Sequence, residues 1–361
     1  MLAIRLFRVC IPARTLKELT AQLQAGIDLS LEQVKLAAHR LADPNIPELE
    51  KLEFLVALKA KGETGEELGW FAKEFLGLAV QPALDRNGRP TIDVCGTGGD
   101  RLELINVSTA TMFPLAAAGV IVLKHGNKAI TSRCGGAEVL EQLGIPINCP
   151  VNQMVDCIQQ TGVGFFFAPL YHPAFRVVAP VRKKLAERGV ATIFNLLGPL
   201  LNPAQPTCQL VGVFSPAILE KYAVALARLG RNRAWVVHGK VPGGSGMDEI
   251  SPLGETEVRE MKEGVLNRFR LSADELGLAG ASLRELRGAD ANVNAGVLIN
   301  ILKGIERGPK REFVLINTAA GLVVAGLTPR MKSGLQLAAE LIDSGQALEK
   351  LREFQRFFKT A

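Results

Sequence analysis

Two glycine-rich stretches hold the residues of this 361-residue chain best suited to chemistry. The first follows Thr91 to Cys95, a run apolar and β-branched enough for a buried strand, and consists of Gly96, Thr97, Gly98, Gly99 and Asp100. The glycines let backbone amides approach a bound group with no Cβ in the way. Asp100 brings a carboxylate to the same place. A carboxylate beside a phosphate cradle repels its ligand unless a cation or a sugar hydroxyl stands between them. The pattern therefore points to a sugar phosphate, or to a phosphate carried with a metal ion. Asn106, Ser108 and Thr109 come next, placed to cap a helix over 110–118 whose free amides and positive dipole end would face the same anion. The second stretch is a strand ending in Lys124, His125, Gly126 and Asn127, with Thr131 to Gly136 behind it. Taken alone, glycine clusters are more often turns than ligand loops, and Lys124 equally fits a solvated lysine at a strand end.

Asp248 and Glu249 follow the strand over 234–238 through a glycine-rich loop. Irregular backbone can aim two adjacent carboxylates at one pair of Mg²⁺ ions, whereas a regular strand sends neighbours to opposite faces. The plainer alternative is a solvated acidic turn ahead of Ser251 and Pro252.

The GTGGD, NVST, KHGN and TSRCGG runs together resemble the anthranilate phosphoribosyltransferase family. The match continues through FAPLYHPAF, APVRKKL, TIFNLLGPLLNP, QLVGVFSP and VVHG followed by MDEIS, over nearly the whole chain. It weakens in the first twelve residues and at 42–46, and the loop from Pro242 to Gly246 interrupts it. The resemblance implies transfer of a phosphoribosyl group from 5-phosphoribosyl 1-diphosphate to anthranilate in tryptophan biosynthesis, with two Mg²⁺ ions and a homodimer. It assigns the phosphoribosyl diphosphate to Gly96, Gly98, Gly99, Asp100, Asn106, Ser108, Thr109, Lys124, Asn127 and Thr131, and the metal to Ser108, Asp248 and Glu249. For anthranilate it implies Gly96, Asn127, His172 and Arg182, with Tyr171 at the same end of the cleft, where the family often has a second histidine. The Arg182 guanidinium matches a planar carboxylate in two-point geometry, against the alternative of an ordinary surface arginine beside Lys183 and Lys184. Neither His125 nor His172 receives an acid or base role, because the aromatic amine is weakly basic and needs no strong base before attack.

The elements that must position these residues fall into two kinds. From Thr15 to Leu76 the apolar spacing is helical throughout: 15–25, a helix capped by Ser30, 47–61 and 65–76. From Pro90 onward strands (91–95, 120–124, 163–168, 210–214, 234–239 and 313–318) alternate with helices such as 137–143, 216–229 and 293–302, which predicts a mostly parallel sheet. The expected fold is α/β: a small helical domain over 1–78, onto which 172–202 folds back in the family pattern, and an α/β domain over 79–361 of nucleoside phosphorylase/phosphoribosyltransferase type. The cleft is expected where the two meet, at the carboxyl ends of the strands.

Composition narrows the partners. The chain is 48% hydrophobic and 22% charged, with a formal net charge of +6 and a pI near 9.0. Its basic residues are scattered and aromatic content is 6%, so small anionic substrates explain the surplus better than nucleic acid. Two other classes stay open: a phosphorylase acting on nucleosides, disfavoured by MDEIS and the full KHGN loop, and a non-catalytic nucleic-acid-binding paralogue, disfavoured by the intact motif set. Cys10, Cys95, Cys134, Cys149, Cys157 and Cys208 show no CxxC or zinc spacing and fit reduced thiols in a cytoplasm. The opening MLAIRLFRVCIPA lacks a sustained apolar core, so neither a targeting segment nor a membrane partner is expected.

Overall fold

A computed structural model describes residues 15–86, 88–129, 133–244, 246–278 and 280–360. Cys10, Thr131 and the opening segment lie outside the described residues, as does Ser245 of the 242–246 loop.

Four helices come first: Leu16–Gln24, Leu31–Ala42, Glu48–Lys61 and Gly65–Gly77. Three start at capping boxes, Thr15 with Glu18, Ser30 with Gln33, and Thr64 with Glu67, which satisfy amides that a helix start leaves unpaired. Glu67 does more than cap. Its buried carboxylate also accepts the Leu29 N–H at 2.9 Å and meets the Lys61 Nζ at 2.7 Å, tying three helices at one point. The apolar faces close over Leu19, Val34, Phe54, Leu58, Phe71 and Phe75, and Val178, Val181, Leu185 and Phe194 enter the same core. The Phe75 ring lies 5.5 Å from Phe175 and 5.4 Å from Phe194, so the helix Pro173–Glu187 and the turn after it pack on the N-terminal helices.

The remainder is built on one sheet. Its strands are β1 Thr91–Gly96, β2 Ile121–Gly126, β3 Val163–Phe167, β4 Cys208–Gly212, β5 Arg233–Lys240, β6 Gly246–Met247, β7 Glu255–Lys262 and β8 Val265–Ser272. The order is β3-β2-β1-β4-β5-β7-β8, with β6 paired to β5. The first five run parallel and β6, β7 and β8 are antiparallel additions. The architecture is therefore a small helical unit plus an α/β unit on a mostly parallel sheet, as expected. The chain leaves β1 toward β2 and β3 on one side and later returns to β4 on the other. That reversal makes the carboxyl ends of β1 and β4, where Gly96 pairs with Gly212, the topological switch point at which such sheets bind ligands.

Two local expectations fail and one hairpin is additional. The run Phe313 to Thr318 is not a strand but the middle of the helix Pro309–Val324, apolar on nearly every side because every residue from 313 to 324 is buried. Its β-branched run imitates a buried strand, while Pro309 in the first turn is the helix signal. The hairpin β7–β8 went unanticipated, although Glu263 and Gly264 both take positive φ (50° and 82°), the conformation of a twist-matched two-residue turn. The helix over 110–118 is broken into Val107–Ala110 and Met112–Ala117, and Asn106 stands at the first N-cap without donating or accepting a side-chain cap bond. Among the described residues no helix is long and apolar enough to cross a membrane.

Candidate active site

The site forms where β1 and β4 end. Gly98 and Gly99 adopt φ of 70° and 96°, conformations that L side chains resist, and this turn aims the Gly98 N–H at the Asp248 carboxylate, 2.6 Å away. Asp100 turns back to accept the Leu102 N–H at 3.1 Å. The loop carrying Asp248 and Glu249 lies flat on the strand ends. A Cβ at Gly212 would collide with the Asp248 backbone, one at Gly96 with its carboxylate, and one at Gly239 with the Glu249 carbonyl. From behind, the buried amide of Asn317 grips the next residue, accepting from the Ile250 N–H at 3.0 Å and donating to its carbonyl at 3.1 Å. Asn317 and Gly212 are positions that seat this loop and that the sequence reading missed; a signal for Asn317 was the lone amide in an otherwise apolar run.

Lys124 is no solvated lysine. At 4% exposure its Nζ donates to the Val94 carbonyl at 2.6 Å and to the Ser108 hydroxyl at 3.1 Å, which places Ser108, Lys124 and the glycine loop together. Below it Asp93 is fully buried, receiving Asn202 Nδ2 at 2.9 Å and the His125 N–H at 3.3 Å. Burial raises the Asp93 carboxyl above the usual range even with Lys124 nearby. Burial also pushes Asp248 up to about 7, with Asp100 adding repulsion, and holds Glu249 well above the carboxylate range, reinforced by Asp248. This is a site with more negative charge than its own cation neutralises. Among the described residues no three His, Cys, Asp or Glu side chains converge into a ready-made cation cage.

Thr109 is buried with its hydroxyl unpartnered, and Gly136 leaves room for it. Asn106 donates to the Cys134 carbonyl at 3.2 Å, joining the first glycine stretch to the second. Asn127 is exposed on the loop after β2, where its side-chain oxygen Oδ1 accepts the Lys128 N–H at 2.8 Å.

A line of rings runs from the end of β2 to Arg182. The His125 and His172 rings are 5.2 Å apart, His172 and Phe175 5.5 Å, and the Arg182 guanidinium sits 5.9 Å from the Phe175 ring centre and 5.4 Å from that of Phe194. Arg182 is partly desolvated, which lowers its pKa, and among the described residues it forms no ion pair. Stacked arginine of this kind keeps its in-plane N–H groups for a planar acceptor. Tyr171, by contrast, leaves the cleft: it is 1% exposed and packs edge-on to Phe166, 5.3 Å away, in the core of the α/β unit.

Comparison with known proteins agrees with this architecture. Residues 88–348 match the glycosyl transferase family a/b domain and residues 17–79 the helical bundle domain of the same family. An anthranilate phosphoribosyltransferase from Methanosarcina acetivorans is 42% identical over 95% of this chain and 90% of its own. The structure of the Thermus thermophilus anthranilate phosphoribosyltransferase superposes with a TM-score of 0.86 at 39% identity, covering 94% of this chain and 99% of that one. The Saccharomyces cerevisiae enzyme in complex with PRPP and Mg gives 0.83 at 26% identity over 96% and 98% of the two chains. The same yeast enzyme was also solved with 4-fluoroanthranilate, at 25% identity, a TM-score of 0.83 and coverage of 97% and 99%.

The imidazoles yield a pH prediction. Burial, and for His125 the neighbouring His172, lowers His125 to about 3 and His172 to about 4, with the Gly198 and Leu201 carbonyls only partly offsetting it. Both folded values lie below the unfolded histidine value of about 6.5. As pH falls through 6.5 the unfolded chain gains protons first, so these groups weaken folding from about 6.5 down to about 4 for His172 and about 3 for His125, and contribute no pH dependence above that window. Nitrogen-15 shifts of both rings should be those of neutral imidazole at pH 6. A midpoint near 6.5 for either ring would contradict its burial.

Proposed function

The chain belongs to the anthranilate phosphoribosyltransferase family of glycosyl transferases, and from that premise we propose that it transfers the 5-phosphoribosyl group of phosphoribosyl diphosphate to anthranilate. The products are N-(5-phosphoribosyl)anthranilate and pyrophosphate, in tryptophan biosynthesis. The observation that carries the reading is the carboxylate loop at 248–249 bonded to the Gly98 amide beside the buried Lys124 and Ser108 pair, at the switch point of the sheet.

The anthranilate nitrogen bonds to C1 as the C1–O bond to pyrophosphate breaks, and the amine proton passes to solvent or to anthranilate's own carboxylate. The transition state is cation-like at C1, so the chain's work is to hold a departing polyanion on one side and an oriented nucleophile on the other. Gly96, Gly98 and Gly99 let the diphosphate and ribose end approach the backbone, the Gly98 N–H itself holding the Asp248 carboxylate, with Asp100 toward the sugar hydroxyls. Asn106, Ser108, Thr109, Lys124, Asn127 and Thr131 gather the remaining phosphate oxygens. Lys124 has one N–H left after Val94 and Ser108, and an ammonium held in a buried position loses little on meeting an anion. Two neutral imidazoles add no positive charge beside the developing ribosyl cation. At the acceptor end, Gly96, Asn127 and His172 line the pocket and Arg182 takes the anthranilate carboxylate.

The donor set of Ser108, Asp248 and Glu249 is all oxygen and in electrostatic excess, which suits Mg²⁺, a cation that takes few protein ligands and keeps water and phosphate oxygens for the rest. Bound there, two ions would supply positive charge to the leaving diphosphate. The reading sets a small unit, 1–78 with 172–202, against a large one, 79–361. It places the protein in a cytoplasm, which the free, buried state of Cys95, Cys149, Cys157 and Cys208 supports. It also makes the protein a homodimer, supported by Ile27, Leu31, Leu49 and Val56, which leave apolar side chains on the surface of the helical unit.

Three measurements test the proposal. Anthranilate fluorescence should fall only when phosphoribosyl diphosphate and Mg²⁺ are both present, and Asp248→Asn with Glu249→Gln should nearly abolish that loss while the far-ultraviolet dichroism is retained. Full activity in the double variant excludes the metal assignment. Arg182→Ala should cost roughly 2 to 4 kcal/mol in kcat/KM for anthranilate and much less for phosphoribosyl diphosphate, with Arg182→Lys recovering only part. An unchanged anthranilate KM and kcat removes Arg182 from the acceptor pocket. Light scattering at micromolar concentration should give twice the 38.8 kDa chain mass, and a single-chain mass refutes the dimer.

A further inference from the structure

Asn294 belongs to none of the motifs above. It lies on the helix Ala291–Leu302, 4% exposed, and its amide joins two loops. Its oxygen accepts the Ala289 N–H at 2.8 Å, and its nitrogen donates to the Asn106 side-chain oxygen at 2.9 Å and to the Ala289 carbonyl at 3.3 Å. Asn106 in turn donates to the Cys134 carbonyl. Backbone groups fix both ends of this chain: an amide N–H only donates and a carbonyl only accepts, so neither side-chain amide has a second workable orientation. Flipping Asn106 would set its oxygen against the Cys134 carbonyl and its nitrogen against the Asn294 nitrogen.

The relay is built in rather than incidental. Residues 286–289 are strapped to the segment just before Asn106, with Ile105 N–H donating to the Leu286 carbonyl at 3.1 Å and Gly288 N–H to the Glu103 carbonyl at 2.8 Å. Asn294 fits against that strap only because position 288 is glycine, since a Cβ there would stand 2.6 Å from the Asn294 oxygen. Asn106 is half-buried, and among the described residues only one of its two amide hydrogens meets a protein acceptor.

We propose that Asn294 is a positioning residue for phosphoribosyl transfer: it locks Asn106 with a free N–H, not a carbonyl oxygen, toward the anionic phosphoribosyl diphosphate. The inference rests on the assignment of Asn106 to that substrate. Asn294→Asp keeps the shape and the acceptor for Ala289 but removes the donor, so Asn106 turns to donate to the new carboxylate and presents its oxygen to the anion.

Calorimetric binding of phosphoribosyl diphosphate with Mg²⁺, and steady-state kinetics for anthranilate, should be measured for the wild type, Asn294→Asp, Asn106→Ala and the double variant. Asn294→Asp should weaken phosphoribosyl diphosphate about tenfold or more and change the anthranilate KM by less than about twofold. In the Asn106→Ala background it should have no further effect, because the group it positions is gone. Additive losses in the double variant, or equal weakening of both substrates, would mean a general structural role and overturn the inference. So would unchanged affinity in Asn294→Asp while Asn106→Ala is impaired. If Asn106→Ala itself binds normally, the assignment of Asn106 fails and the inference fails with it. Should Asn294→Asp not fold, Asn294→Ser, whose shorter side chain gives up the bond to Asn106, serves in the same cycle and should weaken phosphoribosyl diphosphate selectively.

Discussion

The cleft depends on one close approach, that of the Asp248 backbone and carboxylate to the ends of β1 and β4. Parallel strands ending side by side expose amides and carbonyls, and at the switch point no crossover helix covers them. Here the paired residues at those ends are Gly96 and Gly212, and the absence of both Cβ atoms lets a distant loop settle on the backbone itself. The Gly98 N–H then has an acceptor 2.6 Å away before any ligand arrives. Asn317 clamps the next residue from the opposite side, so the loop is held by backbone contact in front and an amide behind, with no long side chain in either hold. Such a mount is stiff. Carboxylates on it occupy fixed positions, so on the proposed reading a cation they hold would meet the leaving polyanion without reorganisation at the moment of reaction.

That stiffness has an electrostatic cost, visible in the raised pKa of Asp248, Glu249 and Asp93. The positive charge set against them is also buried: Lys124 above Asp93, and Arg231, 4% exposed and lowered to about 10 by burial, behind Gln209. Removing one partner of a buried set leaves the others uncompensated, which is why such sets hold together as units. Burial disfavours the charged forms of this carboxylate pair, and a cation would restore them, so on the proposed reading a diphosphate that brings Mg²⁺ is favoured here over a bare one.

Much of this was legible in the sequence, for a physical reason. Strands that empty into glycine loops, and charged residues at strand ends, leave local marks: positive φ, β-branched runs and caps are properties of a few adjacent residues. The boundaries of β1, β2, β3 and β5 fall within two residues of those expected. Long-range packing is not local, and there the reading failed. Phe313 to Thr318 has strand composition, but burial on every side decided for a helix. Tyr171 sits between cleft residues in sequence, yet its side chain turns into the core. Asn106 has the composition of a cap, but its amide is bonded to Cys134 and Asn294 across 28 and 188 residues of chain. Asn317 and Asn294 carry no motif, since each acts by bonding to a loop that the sequence places far away.

The two units are joined differently at two places, and the difference bears on how the acceptor is held. Helix Leu219–Arg228 presses against Gly65–Gly77 at Gly65 and Gly69, where a Cβ would stand 2.8 and 2.9 Å from the side chains of Val224 and Arg228, and Arg228 meets Glu66 at 2.7 Å. Contact that close resists sliding. At the other junction the link is made of rings, His125, His172, Phe175 and Phe194, which pack edge to face and leave Arg182 stacked and, among the described residues, unpaired by charge. Aromatic contacts fix the plane of a guanidinium while satisfying none of its hydrogen bonds, and the loss of hydration it has already suffered is no longer a cost of binding. An arginine in that condition has its in-plane N–H groups ready for two oxygens of an anion entering edge-on. On the proposed assignment the two substrates separate by position, the polyphosphate at the glycine loop with its carboxylates and the planar carboxylate at the ringed arginine.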